Sequence, residues 1–370
     1  MESLGLTSNI INFWKNKKVL ITGHTGFKGS WMTLCLLKMG AEIYGVSKKD
    51  FKCPSLYSKL KLGGDIKEEF VDIRQYKKLE QVIKKFKPEV IFHLAAQSLV
   101  LESYKDPIET YTSNINGTIN ILDICKNLNF IKSIIIITSD KCYENLNTNK
   151  KFNENDHLGG SDPYSSSKAC ADIIANAYYQ SFFKNKKTAV VTCRAGNVIG
   201  GHDWANNRLI PDTINAIRKN KKLKIRMPFA TRPWQFVLEP IFGYLAVARL
   251  SFSNPHFYSG AYNFGPNTRN IKSVEWVIKE IYKQFDMHFK LSLSQSKKTQ
   301  KKYESKYLRL NNTKAKSILK WNPVLTISQA IKWSVDVYKI KSDKIKLKEL
   351  CFKQISTYEK KQNYDFRKNN

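Results

Sequence analysis

The chain has 370 residues, enough for one large α/β domain or two modest ones, and its 42% hydrophobic and 12% aromatic content can fill a real core. Seven cysteines (Cys35, Cys53, Cys125, Cys142, Cys170, Cys193 and Cys351) are scattered without a C-x-x-C pair, which argues against a disulfide framework and a metal site and fits a reducing cytoplasm. The net charge of +31 comes from lysines spread along the whole chain, which points to a compositional bias and a surface attractive to anionic substrates, not to a nucleic-acid interface.

Residues 1–16 read as a short arm with one helical turn from Ile10 to Trp14, and they lack the apolar core of a signal peptide. No apolar run reaches the length of a membrane span. Lys17 to Thr22 predicts a short strand. It runs into Gly23, Gly26 and Gly29 and then an apolar-periodic helix, Ser30 to Met39, which Gly40 ends. Ala41 to Val46 predicts the second strand. Glycines between a strand and a helix allow a tight turn, close backbone approach to a pyrophosphate and close helix–strand packing, and the helix start offers free N–H groups to phosphate. The second strand exits through Lys48, Lys49 and Asp50, so basic and acidic residues both stand where NADP and NAD are told apart. Glu69 to Ile73 predicts a third strand, with Asp72 placed to meet an adenine. Val90 to His93 predicts a fourth, leaving through small Ala95 and Ala96, and His93 reads as a packed core histidine. Asn114 to Cys125 has helical periodicity.

Ile134 to Thr138 is an unbroken β-branched run, a strand buried on both faces. It turns polar at once, placing the hydroxyl, carboxylate and amine of Ser139, Asp140 and Lys141 where open parallel sheets bind ligands. Tyr164 and Lys168 lie four apart on one face of a helix running to Phe183. An ammonium beside a phenol favours the phenolate, which makes Tyr164 a usable base. Thr188 to Cys193 predicts a sixth strand. Beyond it come a glycine- and aromatic-rich loop, 200–211, and then arginines and aromatics suited to phosphates and rings. A strand around Ala261 to Phe264 returns to the main sheet, and 341–370 reads as a terminal helix fraying into a tail. The expected fold is α/β, a Rossmann-type doubly wound parallel sheet over 17–194. A smaller, mostly C-terminal substrate-binding portion follows over 195–340, and 1–16 and 341–370 are terminal extensions.

The G-x-x-G-x-x-G spacing resembles that of the extended short-chain dehydrogenase/reductase family. GHTGFKGSW at 23–31, HLAAQSLV at 93–100, TSDKCY at 138–143, DPYSSSKA at 162–169, RAGNVIGGHDWA at 194–205, RLIPD at 208–212 and RPWQFVLEP at 232–240 run in order. Together they resemble the NAD-dependent nucleotide-sugar 4,6-dehydratases of that family, and among them those acting on CDP-glucose. The resemblance covers roughly 17–335. It implies NAD held by Gly23, Thr25, Gly26, Phe27, Lys28, Gly29, Asp72, Ile73, Leu94, Ala95, Ala96, Gln97, Tyr164 and Lys168. It implies a sugar nucleotide held by Asn197, Trp204, Arg208, Leu209, Arg226, Arg232 and Gln235. Tyr164, with Lys168 and Ser139, would take the C4 hydroxyl proton; Lys141 would take the C5 proton; Asp140 would protonate the leaving C6 hydroxyl. A homodimer or homotetramer in the cytoplasm, working in deoxysugar synthesis for surface polysaccharide, is also implied. A nucleotide-sugar 4-epimerase, or a 4,6-dehydratase of another nucleotide sugar, is the alternative; an epimerase has no need of the Asp140–Lys141 pair.

Overall fold

The computed structural model describes residues 12–49, 55–205, 207–223, 225, 227–289 and 307–368. Seven strands form one parallel sheet: β1 (Lys18–Thr22), β2 (Glu42–Ser47), β3 (Lys67–Phe70), β4 (Val90–His93), β5 (Ser133–Ile137), β6 (Ala189–Ala195) and β7 (Gly260–Phe264). Their spatial order is β7-β6-β5-β4-β1-β2-β3. The order reverses between β1 and β4, so a crevice opens there at the carboxyl ends of the strands.

The helices that matter below are α1 (Phe27–Lys38), α2 (Tyr76–Phe86), α3 (Gly117–Cys125), α4 (Pro163–Tyr178), α5 (Leu209–Arg218), α6 (Leu238–Ser253), α7 (Ile327–Lys339) and α8 (Lys344–Lys368). The sheet separates two apolar cores. Val19, Ile21, Ile135 and Ile137 face the layer of α1, α6, α7 and α8, while Leu20, Ile134 and Ile136 face α2 and α3. Because alternate residues face the two cores, both faces of β5 are buried, which explains the four isoleucines, Ile134–Ile137, that follow the buried Ser133.

The expected doubly wound sheet is present, with β7 parallel to β6 over Gly260–Phe264. Three elements differ from expectation. The third strand lies earlier, at Lys67–Phe70: it pairs with β2 alone and stops where Ser47 meets Phe70, leaving Asp72 and Ile73 beyond it. The helix expected to run to Phe183 closes with a π-helical turn, Tyr179–Phe183. The terminal helix continues to Lys368 instead of fraying early, and its Leu347, Cys351, Ile355 and Tyr358 are buried in the same core as Trp31 and Leu34. The expected N-terminal turn lies partly outside the described residues, but Trp14 is fully buried. No helix among the described residues is long and apolar enough to cross a membrane.

Candidate active site

The β1–α1 turn opens with Gly23 at φ +74, where a Cβ would stand 2.7 Å from Ala95 N. Only glycine adopts that backbone without strain and lets β4's exit pass so close. Helix α1 then starts at Gly26 with no side-chain cap and no acidic residue in its first turn. Its leading N–H groups, with Thr25, Phe27, Lys28 and Gly29 around them, suit a pyrophosphate. Leu94 and Ala95 close the floor through N–H donation to Thr22 O at 3.1 Å and Thr22 Oγ1 at 3.2 Å. Residues 94–97 are all partly buried. Gln97 is braced internally, its amide donating to Thr110 Oγ1 at 2.8 Å and Leu99 O at 3.1 Å. The turn therefore fits a dinucleotide.

At the adenosine end, Asp72 is gripped by Arg74 (Nη2 to Oδ2 2.6 Å) and Lys48 (Nζ to Oδ2 3.3 Å). Burial alone would raise this carboxyl; the Arg74 hydrogen bonds and the Lys48 cation outweigh it and hold it at about 2. Lys48 also pairs with Glu109 at 2.6 Å. Its charge is thus matched by two carboxylates, a poor arrangement for a 2′-phosphate, so the ambiguity of the second strand's exit resolves toward NAD; Asp50 lies outside the described residues. His93 is a core histidine: Thr22 and Thr118 hydroxyls sit 2.8 and 3.3 Å from its two nitrogens, and burial pushes it down to about 3.

Just past β5, Ser139 caps a short 3-10 turn, Asp140–Cys142, by accepting from Lys141 N at 3.2 Å. The Ser139 hydroxyl donates to Asp140 Oδ1 at 3.1 Å. Asp140 is 3% exposed, Lys141 half-buried. Asp140 lies flat against Gly196, where a Cβ would fall 1.8 Å from Asp140 Oδ2. Opposite, Asp162 caps α4 by accepting from Ser165 N at 2.9 Å, and Pro163 follows at the first helical position. The next residue is Tyr164, and Lys168 lies one turn on.

Burial pushes the Tyr164 phenol up to about 12, against the Ser139 hydrogen bond and the Arg208 cation, which favour its ionised form. The Lys168 ammonium donates to Ile137 O at 3.0 Å. Lys168 is itself pushed down to about 8 by burial and by Lys28. Lys28 also falls to about 8, through burial and Arg208, with Asp140 and Asp203 opposing. Three cations, Lys28, Lys168 and Arg208, thus converge on one centre beside Asp140 and Tyr164.

Arg208 is aimed by Asp203, 2.7 Å away, and Tyr338 of α7 in turn donates to Asp203 O at 2.5 Å. Trp204 donates to His202 Nδ1 at 2.9 Å and meets Tyr338 edge-on, and Leu209 packs against the core at the start of α5. Asn197 adopts φ +51 at the exit of β6. Gln235 is 1% exposed, and its amide straps Gly196 O and Phe264 O at 3.0 and 2.9 Å, so it lies behind the Gly196 shelf and not on an open wall. Arg232 sits on a two-stranded antiparallel pair with Ile271–Ser273. Arg226 lies outside the described residues.

Sequence reasoning missed Gly196, Asp203 and Asp172. Asp172 had a signal: it stands two turns past Tyr164 on the face that Lys168 shares. Among the described residues no group of three or more His, Cys, Asp or Glu could hold a metal ion.

The chain matches the GDP-mannose 4,6 dehydratase family over residues 20–333. It is 40% identical over 331 residues to a CDP-glucose 4,6-dehydratase of Salmonella typhimurium, covering 87% of this chain and 91% of that one. A human dTDP-D-glucose 4,6-dehydratase is 25% identical over 334 residues, covering 87% and 90%. Among solved structures, dTDP-glucose 4,6-dehydratase from Bacillus anthracis in complex with NAD superposes with a TM-score of 0.71 at 25% identity, covering 87% and 96%. UDP-glucose 4-epimerase from Thermotoga maritima gives 0.73 at 17%, covering 87% and 98%, a likeness of fold.

Proposed function

Given that the chain belongs to the GDP-mannose 4,6 dehydratase family, we propose that it converts CDP-glucose to CDP-4-keto-6-deoxyglucose and water, with NAD as resident cofactor. It is a hydro-lyase, and the first expectation for the nucleotide is CDP because the Salmonella relative at 40% identity carries that name. One observation carries dehydration over epimerisation: Asp140 and Lys141 follow directly on Ser139, with Asp140 seated in a fitted place against Gly196. An epimerase would need only Ser139, Tyr164 and Lys168.

We assign the uncapped start of α1 and residues 94–97 to hold NAD, which supplies a hydride acceptor that later returns the hydride and a cationic ring that favours the Tyr164 phenolate. Tyr164 takes the proton of the C4 hydroxyl, steadied by Ser139. The C4 ketone that results makes the C5 proton acidic. Lys141 removes that proton, and Asp140 gives one to the C6 hydroxyl as it leaves as water. A proton returned to C5, with the hydride that bound NAD would give back to C6, would leave the 4-keto-6-deoxy product with no net change in the cofactor. In the division of labour we propose, 17–194 binds the cofactor, and 195–340, with Asn197, Trp204, Arg208, Leu209, Arg226 and Arg232, addresses the sugar nucleotide, while Gln235 supports the Gly196 shelf from behind. Two copies pairing through the exposed Ile108, Tyr111, Ile173 and Phe182 in the cytoplasm, supplying a deoxysugar for surface polysaccharide, complete the reading.

The test is incubation of the purified protein with CDP-glucose, with and without added NAD, followed by mass spectrometry, with UDP-, dTDP- and GDP-sugars alongside. Loss of one water without net cofactor reduction is expected, fastest with CDP-glucose. Interconversion of epimers without water loss would establish the epimerase instead.

A further inference from the structure

Two turns beyond Tyr164 on α4, Asp172 is 3% exposed and accepts four hydrogen bonds. Thr138 Oγ1 donates to Oδ2 at 3.0 Å, Thr192 Oγ1 to Oδ1 at 3.0 Å, Arg194 Nε to Oδ2 at 2.9 Å and Arg194 Nη2 to Oδ1 at 2.7 Å. Thr138 immediately precedes Ser139, and Arg194 stands two residues before Gly196. Arg194 Nη1 continues to Tyr143 Oη at 2.8 Å and Glu154 O at 3.1 Å, and Tyr143 donates to Asn263 Oδ1 of β7 at 2.7 Å. One carboxylate thus joins the helix that carries Tyr164 and Lys168 to the strand end that carries Ser139, Asp140 and Lys141, and to the strand that seats Asp140.

We infer that Asp172 is a positioning residue for the reaction proposed above: it sets the height and rotation of α4 against the β5 and β6 exits. A stability anchor could sit anywhere along the helix. This one takes both hydroxyls and the guanidinium from the two strand ends that hold the remaining chemistry. It also shares its helical face with Lys168. The groups that face Lys168 are Lys28 from α1, His93 from β4, Cys142 from the turn after β5, and Asp172. Of these, Asp172 is the carboxylate, so its loss lowers the Lys168 pKa further.

Asp172→Asn keeps the shape and removes the charge. The folded variant is expected to hold KM for the sugar nucleotide within about twofold while kcat falls about a hundredfold, the penalty of misplaced reacting groups. The alkaline limb of its kcat–pH profile should move to lower pH. Lys168, followed by NMR with labelled lysine, should titrate at lower pH than in the wild type. An unmoved Lys168 titration, or unchanged kcat, overturns the inference. Should Asp172→Asn fail to fold, the double variant Thr138→Val, Thr192→Val keeps the ion pair and loosens the helix; about tenfold lower kcat with unchanged KM is expected on the same positional argument, and unchanged kcat overturns it. The titration needs no turnover. A wild type that dehydrates no nucleotide sugar would therefore sink the proposed reaction while the Lys168 titration still judges Asp172.

Discussion

At the scale of single residues, chemistry and seating separate cleanly. Tyr164→Phe removes only the oxygen proposed to take the C4 proton; turnover should drop by about a thousandfold or more, with a melting temperature close to wild type, and normal turnover would refute the assignment. Lys141→Ala should leave oxidation at C4 intact while solvent deuterium no longer enters C5; retained exchange would mean another base. Gly196→Ala probes the seat itself. Its methyl would overlap Asp140, 1.8 Å away, so water loss should fall about a hundredfold, as for a misplaced acid, while C5 exchange by Lys141 persists. Ser139, Tyr164 and Lys168 could be picked out as candidates from their types and spacing alone. Gly196 could not, because its reason is a carboxylate arriving from another strand. Helical spacing says which residues share a face, but not that a strand carbonyl, Ile137 O, accepts from the Lys168 ammonium.

At the scale of elements, the strongly apolar strands and the glycine turn were legible from period and composition, and the sheet assembled as they required. The edge was harder. Strand β3, with the half-exposed pattern of Lys67–Phe70, carries little hydrophobic signal, and only its register with β2 decides where it stops. Helix α8 shows the opposite problem: a lysine-rich sequence conceals a buried stripe. It is locked through Glu239 at the start of α6, which is 1% exposed. Glu239 accepts from Leu325 N at 2.8 Å, Val324 N at 3.1 Å and Tyr358 Oη at 2.6 Å. Burial nevertheless pushes this carboxyl up to about 7. The native state therefore holds a proton that the unfolded chain has released, and stability falls as pH rises from the ordinary carboxylate value to about 7. The loss amounts to about 3 kcal/mol by linkage. Glu239→Gln should flatten that part of the stability–pH curve; urea titrations at several pH values would show it, and an unchanged slope would exclude Glu239 as its source. The Asp172–Arg194 pair behaves differently. Burial opposes the Arg194 charge, Asp172 outweighs it, and the guanidinium stays above its ordinary value. Breaking one partner of such a pair typically costs about 3–5 kcal/mol, which is why Asp172→Asn is paired with a milder variant.

For the whole molecule, the charge of +31 should act on encounter with an anionic sugar nucleotide. Raising ionic strength should lower kcat/KM with little change in kcat; salt-independent kcat/KM would show that the lysines do not steer. The joining of chain ends has a consequence for how the protein is made. Helix α1 is covered by α8: Leu347, Cys351, Ile355 and Tyr358 share a core with Trp31 and Leu34, and Lys38 meets Glu359 at 3.4 Å. A growing chain makes α1 (Phe27–Lys38) long before α8 (Lys344–Lys368). The first strands and α1 therefore leave the ribosome with an apolar flank that α8 does not yet cover, and it stays open until α8 has been made. A chain ending at residue 340 should aggregate or be captured by holding chaperones, and a separate peptide of 341–370 added during refolding should restore solubility. For this fold, the stretch of messenger that encodes α8 works as a clasp, and termination just ahead of it should be as damaging as termination near the middle.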